Sequence, residues 1–174
     1  MQESTLKNLI LEDEDYIFAG DLTIEGSVVI NNGSLIVSGT LLFSGEDVAI
    51  SINGGDIAAQ NLISRSTINI KDGDILVQNL HTLDILSDGN IEVMKDACVN
   101  NVTCLNYLIS GDNDSYHITA TEDIYILGIN DSKNLKARDI LIGGYSNFYE
   151  SSGVVAKSFM CCGVIDSCCY ILVG

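Results

Sequence analysis

The feature that most constrains this chain is a run of short apolar clusters separated by turn residues. Between Leu22 and Ile91 the clusters begin every five to nine residues, and each is three to five residues long. Glycine, asparagine, aspartate and serine lie between them, and the chain contains no proline. A helix needs ten or more residues with apolar positions three and four apart. The pattern therefore excludes helices here and predicts short β-strands joined by tight corners.

The spacing of the clusters selects among all-β folds. Sandwiches and barrels usually place 8–12 residues between strand starts, whereas most gaps here are five to eight residues. Three successive gaps lead from Leu22 to Leu41, and three more lead from Ile57 to Ile75. Residues 56–62 and 74–80 are also identical at five of seven positions. This fixed period predicts a single-domain parallel β-helix, or β-solenoid, with about 18–19 residues per coil. The absence of a strict hexapeptide repeat favours right-handed winding.

The length of 174 residues suits one domain. Residues 1–15 are predicted to be an N-terminal cap or lead-in, either as one short helix or as extended chain. The solenoid is expected over 16–158, and 159–174 are expected to be C-terminal strands that form a hairpin cap. Beyond residue 98 the pattern is less regular. Three polar segments there are predicted to be longer loops that leave the coil: 111–115, 128–134 and 143–147.

Three repeats carry a resemblance to a known family. They begin Gly55-Asp56-Ile57, Gly73-Asp74-Ile75 and Gly89-Asn90-Ile91. This stretch resembles the bactofilins, which are polymer-forming bacterial β-helix proteins, and the resemblance covers residues 20–97. It implies a bacterial, non-enzymatic scaffold that binds no nucleotide and associates with itself end to end.

The charge of the chain suggests a second function. The net charge is −16, with 24 acidic and 8 basic residues. Such a surface repels phosphate backbones and anionic lipid, so neither nucleic acid nor a membrane is an expected partner. It favours a basic protein partner, as for an immunity protein, an inhibitor of a basic toxin or a DNA mimic. The simpler interpretation is that the charge keeps a β-rich protein soluble.

The location of the protein is expected to be cytoplasmic. The N-terminal residues lack the basic and apolar segments of a signal peptide, and no apolar run has the length of a membrane span. The six cysteines are therefore expected to be reduced thiols.

Two cysteine pairs near the C-terminus are candidate metal ligands: Cys161, Cys162, Cys168 and Cys169. If residues 163–167 form a hairpin loop, the two pairs face each other across antiparallel strands. Neighbours on a strand point to opposite faces, so the four thiols cannot all bind one zinc ion. The alternative is that these cysteines are small apolar residues of the core.

Aspartates precede many of the apolar clusters, at Asp21, Asp56, Asp74, Asp123 and Asp139. In a solenoid equivalent corners stack, so these side chains are expected to form a ladder. A carboxylate ladder is a candidate calcium site. The alternative is that each side chain accepts a hydrogen bond from a backbone N–H group and so shapes its corner.

No catalytic constellation is recognisable in the sequence. His81 and His117 stand in no motif with a nucleophile, and Arg65 and Arg138 are the two arginines. The protein is expected not to be an enzyme and to need no cofactor. A carbohydrate-active β-helix enzyme is the least favoured alternative.

A basic and aromatic segment in the second half is the candidate protein-contact surface, because arginine and tyrosine are enriched at interaction hot spots. Its predicted members are Lys133, Lys136, Arg138, Tyr145, Phe148 and Tyr149. The alternative is that the aromatic side chains pack a loop back onto the rod.

Overall fold

The structure, a computed structural model, describes residues 2–46, 48–167 and 170–174. It is a parallel β-solenoid of about nine turns, which confirms the predicted fold class. The regular elements of the described chain are all strands: β1 (Glu3–Leu6), β2 (Leu9–Glu12), β3 (Tyr16–Phe18), β4 (Asp21–Ile24), β5 (Val28–Asn31), β6 (Leu35–Phe43), β7 (Ile50–Asn53), β8 (Ile57–Ser64), β9 (Ile68–Lys71), β10 (Ile75–Ser87), β11 (Ile91–Val93), β12 (Ala97–Cys104), β13 (Tyr107–Ile109), β14 (Asn113–Ala120), β15 (Asp123–Ile126), β16 (Asn130–Lys136), β17 (Asp139–Ile142), β18 (Ser146–Ala156), β19 (Ser158–Cys161), β20 (Ile165–Ser167) and β21 (Tyr170–Val173).

Each coil has three faces, which we name A, B and C in chain order. Face A runs from β1 to β20, face B from β2 to β21 and face C from β3 to β19. Long strands such as β6 and β10 bend at a corner and contribute to more than one face. Every pairing joins a strand to its equivalent in the next coil and is parallel, so the backbone hydrogen bonds run along the axis of the rod.

Coil length varies more than the sequence repeat predicts. Ile57 pairs with Ile75 at the predicted repeat length, and the separation in this coil is 18 residues. Val28, however, pairs with Ile50 in a coil where the separation is 22 residues. Ile75 pairs with Ile91 in a coil where it is 16 residues. The strands keep their length while the corners between them differ, because only the strands must match their neighbours in register.

The core is a set of stacked side-chain ladders inside the coil. On face A, Leu22, Leu41 and Leu62 lie directly above one another and have no exposed surface. Residues alternate between inward and outward positions along each strand, as the pleat of a β-strand requires. Three short apolar strands per coil therefore close a continuous hydrophobic interior.

The corner between faces B and C explains the turn residues of the sequence. Asp13, Asn32, Gly54 and Asp72 occupy its left-handed position, with φ between 53° and 69°, which aspartate, asparagine and glycine tolerate best. Proline does not fit here, because the corner N–H groups donate across coils. One example is the 2.8 Å bond from the Asn32 N–H to the Asn53 carbonyl.

In their described parts, both terminal segments are extended strands of the solenoid. The described part of residues 1–15 forms no helix, since β1 and β2 already build the first coil with Leu9 and Leu11 turned inward. At the other end β19, β20 and β21 pair in parallel with the preceding coil, so these strands of 159–174 form no hairpin. The right-handed winding stays a prediction.

The three predicted loops are also corrected. Part of each polar segment belongs to a strand on face A, in β14, β16 or β18. Their polar side chains point inward and are buried: Asn113, Ser115, Asn130, Ser132 and Ser146. These side chains bond to one another, as in the 2.9 Å bond that the Asn113 amide donates to the Asn130 side-chain carbonyl. Because the buried polar groups find partners within the stack, they do not need to leave the coil.

Candidate functional site

Of the two candidate cysteine pairs, only Cys161 and Cys162 lie in the part of the chain that the structure describes. Cys161 lies half-buried at the end of β19, and its Sγ is 3.5 Å from the Gly144 carbonyl oxygen. Cys162 is exposed in the following corner. Cys168 and Cys169 lie outside the described residues. Over the ranges that the structure covers, no group of three or more His, Cys, Asp or Glu side chains is arranged to hold a metal ion.

The two earlier cysteines are poor nucleophiles. Cys104 points into the core, where burial raises the pKa of its thiol from 9.0 to about 12. Cys98 is exposed on face A, and its pKa is raised by partial burial and by the nearby carboxylate of Asp114. Both thiols therefore stay protonated at neutral pH, whereas the reactive form of a cysteine is the thiolate.

The aspartate ladder is real, but it shapes corners. The carboxylate of Asp56 accepts the N–H of Asp74 at 2.8 Å, and the carboxylate of Asp74 accepts the N–H of Asn90 at 2.6 Å. Asp123 and Asp139 occupy the same corner in later coils, whereas Asp21 lies at the start of face A and accepts the Thr40 N–H at 2.6 Å. The carboxylates of Asp21, Asp56 and Asp74 thus close their corners onto the next coil, which is the alternative that the sequence left open.

The predicted contact residues are scattered over the rod. The Lys133 ammonium donates to the Tyr116 hydroxyl at 3.1 Å and lies over its ring. Lys136 is exposed on face B. Tyr145 is partly exposed before β18, whereas Phe148 is inside the core because its position in β18 points inward. The side chain of Tyr149 lies outside the part of the chain that the structure describes.

Arg138 is held by three carboxylates at the corner between faces B and C. Its guanidinium lies 3.0 Å from Asp123, 3.4 Å from Asp139 and 3.9 Å from Glu122. The hydrogen bond to Asp123 raises the pKa of Arg138 further. This ion-pair cluster replaces the carboxylate-to-backbone bonds of the earlier corners, so Arg138 is occupied within the rod.

The two histidines do not form a catalytic group. His81 points outward from face A beside Cys98 in the next coil. His117 lies on face B, where its Nδ1 is 2.9 Å from the side-chain nitrogen of Asn134. Neither histidine is near a serine or cysteine that its environment activates.

An outward apolar ladder on face C is a surface that the sequence analysis did not recognise. Outward positions on faces A and B are mixed, with polar residues such as Thr23, Asp114 and Asn69. On face C the outward residues are apolar in nearly every coil, with Glu92 as the exception. They are Ile17, Ile36, Ala58, Leu76, Leu108, Tyr125, Leu141 and Met160. In the sequence, this ladder could have been found from the middle residue of every third apolar cluster, which is apolar in nearly every coil.

A groove of about 530 Å³ follows this ladder from Ile36 to Tyr125. Its floor is apolar, and one wall is the corner row that includes Asp56 and Asp74. A neighbouring groove of about 350 Å³ shares Ile36, Ala58 and Leu76 and has Ser38, Gln60 and Gln78 on the opposite side. We call the combined trough the face C groove.

The face C groove carries unpaired negative charge. Asp56, Asp74 and Glu92 line it. Within the described part of the chain, none of the three carboxylates forms an ion pair with a lysine or arginine. The groove is thus acidic along one wall, through Asp56 and Asp74, and its otherwise apolar floor carries Glu92 between Leu76 and Leu108.

The two ends of the solenoid expose strand edges. In the described residues β1, β2 and β3 pair on one side only, as do β19, β20 and β21. Ile165, Ile171 and Val173 continue the inward ladders of faces A and B, yet they are 38%, 41% and 54% exposed because no described strand lies over them.

Comparisons with protein-family models, with curated proteins and with solved structures returned no match to this chain. The likeness to the bactofilins therefore stays a prediction from the three repeats. Among the residues that the structure describes, no helix has the length and apolarity needed to cross a membrane.

Proposed function

We propose that this protein is a non-enzymatic β-solenoid scaffold that associates with itself end to end. The observation that carries the proposal is the pair of open ends, each with three strands that lack a partner on their outer edge among the described residues. Unpaired strand edges are templates for pairing with another chain. Pairing with a second copy satisfies those backbone groups with the same hydrogen bonds that join the coils.

The apolar surface at the C-terminal end supports the proposal. Val154 is fully buried in the penultimate position of its ladder, whereas Ile171 above it is 41% exposed. Covering an Ile or Val side chain contributes about 1.5–3 kcal/mol. A second copy seated on this end buries Ile165, Ile171 and Val173 together.

The distribution of charge supports a head-to-tail arrangement. The corner between faces B and C carries Glu12, Asp13, Glu14 and Asp15 in the first coil. At the other end the same corner carries the exposed Lys157. Stacking the first coil of one copy on the last coil of another brings these opposite charges together, whereas two first coils repel each other.

The test measures molar mass against protein concentration by sedimentation equilibrium and light scattering. We expect the mass of the parent chain to rise above that of the monomer as concentration increases. Ile171→Lys places a charge at the open edge, so we expect it to remain monomeric. Leu86→Lys is the control, because Leu86 is an exposed outward leucine of β10, away from both ends. It is expected to associate like the parent.

A sharp monomer for the parent chain at high concentration would falsify the proposal. Equal loss of association in both variants would also contradict it, since the effect would then come from charge and not from the edge. Thermal unfolding followed by circular dichroism confirms that each variant keeps the fold.

A further inference from the structure

The face C groove has a length, a largely apolar floor and a charge that suit a ligand lying along the side of the rod. Because the groove runs along the side of the rod from Ile36 to Tyr125, it is separate from the ends that carry the proposed self-association. Its outward residues have the spacing of the coils, about 4.8 Å. Ile36 and Tyr125 are separated by five coil steps, so the groove is about 24 Å long.

The backbone of face C limits the conformation in which a peptide ligand can bind. Its N–H and C=O groups are used between coils, as in the 3.0 Å bond from the Ile57 N–H to the Asp74 carbonyl. An extended peptide laid on this face therefore gains no backbone hydrogen bonds, and its own polar groups lose water. A helix satisfies its backbone internally and needs only an apolar stripe to contact the floor. About 16 helical residues span 24 Å.

The negative charge of the groove limits which ligands it can bind. Asp56, Asp74 and Glu92 have no cationic partner among the described residues. A second copy packed through this face brings its own carboxylates against them, on a chain whose net charge is −16. Lysine or arginine side chains beside an apolar stripe complement the wall and the floor together.

We propose that the face C groove binds a cationic amphipathic helix of about four turns from a partner protein. The apolar face of the helix lies on Ile36, Leu76 and Leu108, and its lysine or arginine side chains pair with Asp56, Asp74 and Glu92. This is the helix-in-groove mode of recognition, with the solenoid providing a rigid, preformed floor.

The experiment uses two synthetic peptides, each of about 16 residues, with identical leucine and lysine content. One places the leucines on a single helical face, and the other alternates leucine with lysine and so has no helical apolar face. Binding to the full chain is measured by fluorescence anisotropy at about 0.15 M salt. We expect the helical peptide to bind at least about tenfold more tightly than the alternating one, since both have the same charge.

Two variants, each with its own control, test whether the peptide binds on face C. Leu76→Asn is expected to weaken binding of the helical peptide about tenfold, while Leu86→Asn leaves it unchanged. Leu86 is the matched control because it is an exposed outward leucine of the same strand, β10, on face B. Asp74→Asn with Glu92→Gln is expected to weaken binding and flatten its salt dependence, while Glu25→Gln at another corner is expected to have little effect. Asp74→Asn keeps an oxygen that can accept the Asn90 N–H.

Three outcomes overturn the proposal. Equal binding of the two peptides shows that charge alone attracts them. Equal weakening by Leu76→Asn and Leu86→Asn shows that the site is not on face C. A change in oligomeric state caused by Leu76→Asn without peptide shows that a second copy occupies this face. Circular dichroism and the thermal midpoint establish that the variants are folded.

Discussion

At the scale of single residues, the second half of the rod is distinguished by polar side chains inside the coil. Asn130 donates 3.0 Å bonds to the hydroxyls of Ser132 and Ser146, and Ser115 donates a 2.8 Å bond to Asn113. Tyr107 crosses from face C to the same network, with its hydroxyl 3.3 Å from Asn113. The complete burial of Tyr107 raises its pKa, because the phenolate would be desolvated. A network of this kind stabilises the fold only when its members are satisfied.

Thr82 breaks that pattern and gives a test of stability. Its Oγ1 is buried on face A and has no hydrogen-bond partner in the part of the chain that the structure describes. An unsatisfied buried hydroxyl costs about 1–3 kcal/mol. Thr82→Val keeps the shape and removes the hydroxyl, so we expect it to raise the free energy of unfolding by about 1 kcal/mol in urea denaturation.

Ser64 is the matched control for Thr82. It occupies the equivalent position one coil earlier, but its hydroxyl donates a 2.8 Å bond to the Ser66 carbonyl. We expect Ser64→Ala to lower the free energy of unfolding by about 1 kcal/mol. If Thr82→Val destabilises the protein as Ser64→Ala does, then the Thr82 hydroxyl forms a hydrogen bond in the folded protein, which contradicts the prediction.

At the scale of elements, the corners bring the backbones of neighbouring coils into direct contact. Gly33, Gly55, Gly73 and Gly89 stack at the corner between faces B and C. A Cβ built on Gly55 overlaps the carbonyl oxygen of Gly33, and one built on Gly73 overlaps that of Gly55. The glycines are therefore required by the close approach of backbone to backbone.

Gly55→Ala tests the requirement for close backbone contact. The added methyl group must push the Gly33 carbonyl away, and overpacking of this kind costs about 1–3 kcal/mol. We expect a loss of that size in the free energy of unfolding, measured by urea denaturation. Gly174→Ala is the control, because a Cβ at Gly174 meets no atom within 4 Å. An unchanged free energy in Gly55→Ala would show that the corner can widen without cost.

At the scale of the whole molecule, the charge is polarised along the rod. Glu12 and Glu14 are exposed in the first coil, while Lys136 and Lys157 line a groove beside Leu172 near the last one. Among the described side chains, neither lysine forms an ion pair with a carboxylate. Both lysines therefore remain available to the acidic end of another copy.

Charge reversal tests the polarity of the proposed assembly. We expect Lys136→Glu with Lys157→Glu to weaken self-association about tenfold, and Glu12→Lys with Glu14→Lys to weaken it similarly, because exposed pairs contribute modestly and add up. A chain carrying all four reversals is expected to associate like the parent, because the charges are again opposite. Sedimentation velocity at low and high salt, about 0.05 and 0.3 M, measures the effect. Loss of association that the fourfold variant fails to restore argues against head-to-tail stacking.

The sequence by itself determined the strands and corners of this protein. Short clusters such as residues 57–59 and 75–77, with Asx or glycine between them, specify a coil because each signal acts over a short stretch of chain. The aspartate ladder was also predictable, since Asp56 and Asp74 occupy the same position in matching repeats. The period could not be read beyond residue 98, because the coil length there varies between 16 and 19 residues.

Only the tertiary structure decided which side of each strand faces the interior. Asn113 and Asn130 looked like loop residues, yet they are core residues because each supplies the other with a hydrogen-bond partner from the adjacent coil. The same neighbours decided that β20 and β21 run parallel to β18, where a hairpin was predicted. The face C groove likewise exists only when residues from six coils are aligned. These features depend on contacts between residues a full coil apart, which no local pattern encodes.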